Sequence, residues 1–218
     1  MKVAARTDFF ETPLWVVRAI SPELARIPFL KVVDVGCGTG ALLRGLFSTV
    51  VNDGWEASGI ELVPDRALTA RRTLTVPVCV GDALAVDWGS PDLVVMHPDP
   101  KDAAAFFLRA VEQVAPGGHI LLLTHATFLE TQKRASLHRE HRFQMVVLSE
   151  RPSCCNTVKC MDASCDYRDS FPPGGSRPTR CPLCGDALRL IQNDSSMYAW
   201  FLYGPRTEPG TFRLHLGK

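Results

Sequence analysis

The sequence has neither a strong charge of one sign nor a long hydrophobic run. Its 218 residues carry 24 basic and 23 acidic side chains, for a formal net charge of +1. Nucleic-acid binding would therefore depend on a local basic patch, not on the field of the whole chain. No apolar stretch approaches the roughly 20 residues of a membrane-spanning helix, and residues 1–13 lack the apolar core of a signal peptide. We expect a cytoplasmic protein that does not enter a membrane.

Internal repeats are also absent, and the composition excludes a disordered or fibrous chain because 46% of the residues are hydrophobic. The length suits one α/β domain with a well-buried core and is short for two. We therefore expect a single domain over residues 1–218, in which a segment described below forms an insertion.

Short apolar runs alternate with helical patterns along most of the chain. Such alternation favours right-handed crossovers and a parallel sheet with helices on both faces. Two predicted strands near the end of the chain lack a long helix between them, so they should form an antiparallel pair at one edge. The prediction is a Rossmann-like, mostly parallel, seven-stranded sheet. Its strands are 31–35, 56–61, 76–80, 91–96, 119–124, 143–149 and 197–203, and its helices 41–50, 64–74, 101–114 and 128–138.

A glycine-rich turn, DVGCGTG over residues 34–40, follows the first predicted strand. Glycines let the backbone turn sharply and let a ligand approach with no Cβ in the way. The G-x-G-x-G spacing differs from the G-x-G-x-x-G of nicotinamide-cofactor enzymes. Asp34 precedes the first glycine by two residues, and Glu61 ends the next strand, where it can accept hydrogen bonds from both hydroxyls of a ribose. The alternative is a plain turn in which Asp34 caps a helix or is solvated.

This segment resembles the first motif of the class I methyltransferases, an acidic residue followed by G-x-G-x-G. The resemblance implies S-adenosylmethionine as the cofactor, with loop 34–40 around its methionine part, Glu61 on the ribose and Asp82 on the adenine amine. The side chains of Cys37 and Cys79 are expected to pack around the core as small residues. The expected cofactor-binding residues are Asp34, Gly36, Cys37, Gly38, Gly40, Glu61, Leu62, Asp82, Ala83 and His97.

Four further segments resemble a phage and prophage group of DNA adenine methyltransferases. They are DFFETPLW at 8–15, FLETQKR at 128–134, ERPS at 150–153 and YAWF at 198–201. Their order and spacing carry the resemblance, which implies methyl transfer to nucleic acid, with DNA favoured over RNA and the exocyclic amine of adenine as the acceptor. By the same resemblance, the substrate-binding residues would be Thr12, Pro13, Trp15, Arg134 and Arg151.

The acceptor motif departs from that family. Methyltransferases of exocyclic amines carry Asn or Asp, then Pro-Pro and an aromatic, because the amine lone pair is shared with the ring and needs hydrogen-bond acceptors to free it. This chain has HPDP at 97–100. We take His97, Pro98 and Asp99 as the candidate catalytic residues. A neutral His97 could accept a hydrogen bond or act as a base, with activity falling below a pKa near 6.5. Asp99 could instead supply the oxygen.

Other outcomes for this motif stay open. The amine chemistry could be redirected to RNA or another acceptor. It could also be lost, which would leave a silent binder of cofactor or nucleic acid within a modification complex. His97 could also be an ordinary hydrogen-bonded loop histidine. The basic segment 132–142 could meet phosphates, but its acidic residues fit a solvated helix face equally well.

Six of the eight cysteines fall between residues 154 and 184. Structural disulfides are unusual in a reducing cytosol, so such clustering points to a metal. Four residues separate Cys160 from Cys165, and Cys181-Pro-Leu-Cys184-Gly has the spacing of a zinc knuckle. The four thiolates would suit a tetrahedral structural Zn²⁺ that folds an insertion over 152–193 and has no catalytic role. Cys154 or Cys155 could replace one ligand, and the ribbon could contact nucleic acid.

Overall fold

The computed structural model describes residues 11–50, 54–130, 132–149, 152, 156–165, 167–171, 178–191, 197–205, 207 and 212–215. Its helices are α1 (Leu14–Leu24), α2 (Ala41–Thr49), α3 (Pro64–Leu74), α4 (Ala103–Gln113) and α5 (Gln132–Glu140), with a 3₁₀ helix at Ala126–Leu129. Its strands are β1 (Lys31–Val35), β2 (Glu56–Glu61), β3 (Val78–Val80), β4 (Leu93–Met96), β5 (His119–His125), β6 (Phe143–Leu148), β7 (Asn156–Cys160), β8 (Arg168–Phe171), β9 (Leu188–Ile191), β10 (Tyr198–Tyr203) and β11 (Phe212–His215).

The chain divides into two compact units. The large unit comprises Thr12–Pro152 and Ser196–Lys218, and the small unit comprises Met1–Glu11 and Ser153–Ser195. In the described part of the small unit, a three-stranded antiparallel sheet in the order β8-β7-β9 covers a small cluster of Val158, Cys160, Cys181 and Leu188. No helix among the described residues is both long and apolar enough to cross a bilayer.

The large unit contains one sheet in the order β11-β6-β10-β5-β4-β1-β2-β3. Strands β3, β2, β1, β4 and β5 are parallel, whereas β10 is antiparallel to both β5 and β6. The chain order reverses between β1 and β4, which is where open α/β sheets bind their ligands at the carboxyl ends of the strands. The predicted Rossmann-like, mostly parallel sheet with an antiparallel strand pair is therefore confirmed.

Both faces of the sheet are covered, which explains its nearly continuous apolar strands. Every residue of β4 (LVVM) has no exposed surface. Val16, Val17 and Ile20 of α1 pack on one face, while Ala103 and Phe107 of α4 pack on the other. In α4 these residues recur at helical spacing, and this pattern predicts the helix from sequence alone.

The predicted strand count of seven is wrong, because the described residues contain eight strands in this sheet. The additional strand, β11, runs parallel to β6 on its outer side, so the β6–β10 pair does not form the edge. Its sequence, FRLH, is too short and too polar for its pattern to predict a strand. Helix α1 was not predicted either, since it contains Ser21 and Pro22. The predicted helix 128–138 is divided between the 3₁₀ helix and α5.

An ion pair joins β11 to α1. Arg213 donates to Oε1 of Glu23, whose side chain is 1% exposed, whereas that of Arg213 is 46% exposed. We expect Arg213→Met to lower the free energy of unfolding by about 2 kcal/mol, because it leaves a buried carboxylate without its counter-charge, and partial exposure of Arg213 moderates the loss. Urea denaturation measures this. The double variant Glu23→Gln/Arg213→Met should be more stable than Arg213→Met, because it no longer buries an unpaired carboxylate. Equal stabilities of these two variants would contradict this explanation.

Candidate active site

The glycine loop lies at the carboxyl ends of β1 and β2 and is held there by backbone hydrogen bonds. The N–H groups of Gly36 and Cys37 both donate to the carbonyl of Ile60, at 2.8 and 3.0 Å. Gly36, Gly38 and Gly40 have φ of 74°, 56° and 86°, in the left-handed region that favours glycine. The loop therefore has one defined conformation immediately before α2.

Gly40 shows why a side chain is excluded from the end of this loop. A Cβ at that position would lie 2.3 Å from Cδ1 of Leu74, at the end of α3. The positive φ and this close approach both require glycine, so the G-x-G-x-G pattern reflects packing between the loop and α3 as well as room for a ligand.

Asp34 is the most perturbed carboxylic acid of the site. Its side chain is 1% exposed, and its Oδ2 has no hydrogen-bond partner among the described residues. Burial and, to a smaller extent, the charge of Glu61 raise the pKa of Asp34 to about 8, against a backbone hydrogen bond with Leu43 that lowers it. Asp34 is therefore mostly neutral at pH 7 and offers a buried oxygen that a donor would satisfy.

Glu61 fixes the loop from the end of β2. Its Oε2 accepts the N–H of Gly38 at 2.8 Å, and its Oε1 accepts the N–H of Val63 at 2.9 Å. Each carboxylate oxygen has a second lone pair, so these bonds leave acceptor capacity for hydroxyl groups of a ligand. The side chain thus holds the loop in place.

The other predicted cofactor residues divide between buried and exposed positions. Cys37 is 6% exposed and packs against Gly59, where a Cβ would lie 2.7 Å from its Sγ. Burial raises the pKa of this thiol, so it is a packing residue. Leu62 is 50% exposed, Asp82 is exposed and accepts the N–H of Leu84 at 3.0 Å, and Ala83 is buried.

His97 directly follows β4, next to the switch point of the sheet. Its Nδ1 lies 3.1 Å from Oγ1 of Thr12, and its ring centroid lies 6.0 Å from that of Tyr198 in an edge-to-face arrangement. The ring centroid of His125, at the end of β5, lies 4.6 Å from that of the same tyrosine. Burial and, to a smaller extent, the charge of His125 lower the pKa of His97 from 6.5 to about 4. The imidazole is therefore neutral at pH 7.

The partners of Asp99 differ in kind from those of His97. Its Oδ2 forms an ion pair with Nζ of Lys101 at 2.7 Å, and its Oδ1 accepts the backbone N–H of Lys101 at 3.1 Å. Both oxygens therefore stabilise the turn that leads into α4. Pro98, between these two residues, is buried.

The predicted substrate-binding residues are not all brought together. Thr12 contacts His97, but Trp15 stacks on His215 with ring centroids 6.5 Å apart. The guanidinium of Arg134 lies 4.9 Å from the ring centroid of Phe128 and donates to the carbonyl of Thr127. Pro13 is the N-cap of α1, and Arg151 and residues 8–10 lie outside the described residues.

Two aromatic residues of this site, His125 and Tyr198, were missing from the predicted site residues. Tyr198 belongs to the YAWF segment, so its resemblance to the family was a usable signal. The sequence gives no such signal for His125. The predicted strand ended at Thr124, and Tyr198, which His125 contacts, is distant in sequence. Their proximity to His97 depends on the antiparallel register in which Tyr198 pairs with His125.

The small unit brings together the four cysteines of the predicted metal site. The sulfur atoms of Cys160, Cys165, Cys181 and Cys184 all lie within 4.8 Å of one another, with distances of 3.4 Å for Cys160–Cys184 and 3.7 Å for Cys165–Cys181. Tetrahedral zinc with four thiolates has sulfur atoms about 3.8 Å apart, so the donor set fits this ion. Cys154 and Cys155 lie outside the described residues.

The knuckle itself has the expected turn. The N–H of Gly185 donates to the carbonyl of Cys181 at 2.8 Å, and Gly185 has φ of 76°. Cys160 and Cys181 are each 2% exposed, whereas Cys184 is exposed. The four-sulfur set leaves no position for a reacting water, which is typical of a structural site.

Comparisons with known proteins give the fold. No family model matches the chain. The bifunctional biotin biosynthesis protein BioCD of Bordetella avium is 29% identical over 136 residues, which are 56% of this chain and 29% of that protein. This chain thus spans less than a third of the length of that curated relative.

Two solved structures align with 93% of the chain. One is the modification subunit of a candidate type I restriction enzyme from Vibrio vulnificus YJ016, with a TM-score of 0.55, 15% identity and 46% of that chain covered. The other is the 23S rRNA methyltransferase ErmE, with a TM-score of 0.54, 16% identity and 71% of that chain covered. The chain has the methyltransferase fold.

Proposed function

We propose that the large unit transfers a methyl group from S-adenosylmethionine to an exocyclic amine of nucleic acid, with adenine in DNA as the favoured acceptor. The observation that carries this proposal is the placement of the glycine loop, Asp34 and Glu61 beside His97 at the switch point of a methyltransferase sheet. The same edge thus provides a cofactor-binding half and an acceptor-binding half.

The cofactor half fits a cationic ligand with a ribose. S-adenosylmethionine would supply an electrophilic methyl group. The unpartnered Oδ2 of Asp34 suits its ammonium, the spare lone pairs of Glu61 suit its ribose hydroxyls, and the exposed Asp82 and Leu62 suit its adenine. Gly36, Gly38 and Gly40 of this loop offer backbone without Cβ atoms around the methionine part.

On the acceptor side, His97 replaces the usual Asn or Asp. Its neutral imidazole accepts a hydrogen from the amine and so frees the nitrogen lone pair, while the carbonyl of Pro98 accepts the second hydrogen. Bound S-adenosylmethionine would supply the methyl group and leave as the thioether, with the electron pair on its sulfur, and the proton lost by the amine nitrogen would pass through Nε2 of His97 to water. Asp99 is assigned to the turn instead, where its oxygens bind Nζ and the backbone N–H of Lys101.

DNA is favoured over RNA by the segments at 8–15, 128–134, 150–153 and 198–201 that resemble DNA adenine methyltransferases. Both polymers occur among the proteins that share the fold, since one acts on 23S rRNA and another belongs to a restriction-modification system. The altered motif supports one rival, a binder of cofactor and nucleic acid that no longer transfers the methyl group.

The test incubates the full chain with radiolabelled S-adenosylmethionine and, separately, double-stranded DNA, single-stranded DNA and structured RNA. We expect label in DNA and a loss on the order of a hundredfold in His97→Ala. His97→Asn, which restores a side-chain oxygen, should recover activity, and Asp99→Ala should retain most of it. Label in RNA alone would correct the polymer, and tight cofactor binding without label would favour the silent binder.

The pH profile of the reaction gives a separate prediction. Because the pKa of His97 is lowered to about 4, nearly all of its imidazole is in the neutral form that accepts a hydrogen bond, even at pH values well below 7. With saturating cofactor, kcat should stay level from pH 8 down to about pH 5.5 and fall only as pH approaches 4. A fall centred near pH 6.5 would show instead that the ring is solvated and would contradict this geometry.

For the small unit we propose that Cys160, Cys165, Cys181 and Cys184 hold a structural Zn²⁺. The support is the mutual distance of their sulfur atoms and the four-thiolate donor set, which suits zinc.

A further inference from the structure

The hydroxyl of Thr12 lies within hydrogen-bond distance of the His97 ring, at 3.1 Å from Nδ1. Thr12 is 6% exposed and precedes Pro13, the N-cap of α1. Val16, Val17 and Ile20 of that helix have no exposed surface, so the helix is fixed in the core. Thr12 therefore contacts the ring from a position two residues before an anchored helix.

A neutral imidazole carries one N–H and one lone pair, and the partner of one nitrogen decides the role of the other. If Nδ1–H donates to Thr12, the lone pair is on Nε2 and can accept a hydrogen from an amine. If the threonine hydroxyl donates to Nδ1, Nε2 carries the hydrogen and can only donate. An amine acceptor thus requires the first arrangement.

Tyr198 meets the ring edge to face with centroids 6.0 Å apart, and the charge of His125 contributes to its lowered pKa. Thr12 is 85 residues away from His97 in sequence, so it contacts the ring from outside the acceptor motif.

We propose that Thr12 is a positioning residue that holds His97 in the Nδ1–H tautomer and leaves the Nε2 lone pair to accept a hydrogen from the acceptor amine. This inference rests on the proposed function. It changes the expected role of Thr12 from contact with the substrate to control of the residue that contacts it.

The first test reads the tautomer without any reaction. Long-range ¹H–¹⁵N spectra of the ¹⁵N-histidine-labelled full chain, with His97 assigned by the His97→Asn variant, distinguish the protonated from the unprotonated nitrogen. We expect Nδ1–H in the wild type and in Thr12→Ser, and a mixture of tautomers in the nearly isosteric Thr12→Val. A wild-type ring with its hydrogen on Nε2 would overturn the proposal.

The second test measures kinetics on the polymer that accepts label. Thr12→Val should lower kcat about tenfold or more with unchanged affinity for S-adenosylmethionine, and Thr12→Ser should stay close to the wild type. An equal loss in both variants, or a kcat unaffected by Thr12→Val, would refute the positioning role. If no polymer is methylated, the proposed function fails, whereas the spectra still decide which nitrogen Thr12 engages.

Discussion

Removing the metal should unfold the small unit and leave the large unit folded. We expect about one zinc ion per chain in the purified protein and its loss in the paired variant Cys181→Ser/Cys184→Ser. The described core of the small unit consists of Val158, Cys160, Cys181 and Leu188, and two of these four residues belong to the proposed zinc site. So small an apolar cluster does not offset the entropy of ordering the segment, and under this proposal metal binding supplies the missing free energy.

Elemental analysis combined with hydrogen exchange of the full chain measures both parts of this prediction. Amides of β7 and β9 should lose protection when a chelator is added, whereas those of β4 and β5 should keep it. Cys79→Ser is the matched control, because Cys79 lies in the large unit and is exposed, so the expectation that it packs around the core was wrong. A metal-free protein whose β7–β9 amides remain protected would refute a metal requirement.

The local signals of the sequence predict this site and the cofactor loop well. The bounds of β1, β2 and α3 agree with the predicted ranges, since β-branched runs and a proline at the first turn of a helix act over a few residues. Ligand spacing at Cys181–Cys184 is equally local, because one tight turn orients both thiols. Such features need no knowledge of the rest of the chain.

Features that depend on distant pairing were not predictable in this way. Strand β11 exists because it can add to β6, with an ion pair from Arg213 to α1 as support. The expectation of a His97 pKa near 6.5 was wrong because burial and His125 come from tertiary structure. The Thr12–His97 contact joins residues 85 positions apart, and neither residue predicts the other.

Cofactor binding should release a proton from Asp34. With its pKa raised to about 8, this acid is mostly protonated at pH 7, and its Oδ2 lacks a partner among the described residues. The ammonium of bound S-adenosylmethionine would donate to that oxygen. A cation in contact with a carboxyl group favours its ionised form over its neutral form. Because binding and ionisation are then linked, we expect close to one proton released per cofactor bound at pH 7.

Calorimetric titrations in two buffers of different ionisation enthalpy count that proton. Asp34→Asn is the matched variant, because it keeps the size and hydrogen-bonding capacity of the neutral acid, and it should release none. A proton lost by the cofactor itself would appear in both proteins, so equal release would refute the role of Asp34. Ionisation of Asp34 should also change the free energy of unfolding when no ligand is present. That measurement tests the burial of Asp34 separately from its role in binding.

The sign of that stability effect follows from the raised pKa. The stabilisation from keeping Asp34 neutral is complete below its ordinary pKa of 3.8 and is lost as pH rises through about 8. The Asp34→Asn variant cannot ionise at this position. The free energy of unfolding of the variant, minus that of the wild type, should therefore increase between these two pH values, by at most about 1.4 kcal/mol for each pH unit. Denaturation of both proteins at pH 5, 7 and 9 measures the difference. A difference independent of pH would mean that Asp34 ionises as freely in the folded chain as in the unfolded one, and the buried acid would then bind the cofactor without any linked proton.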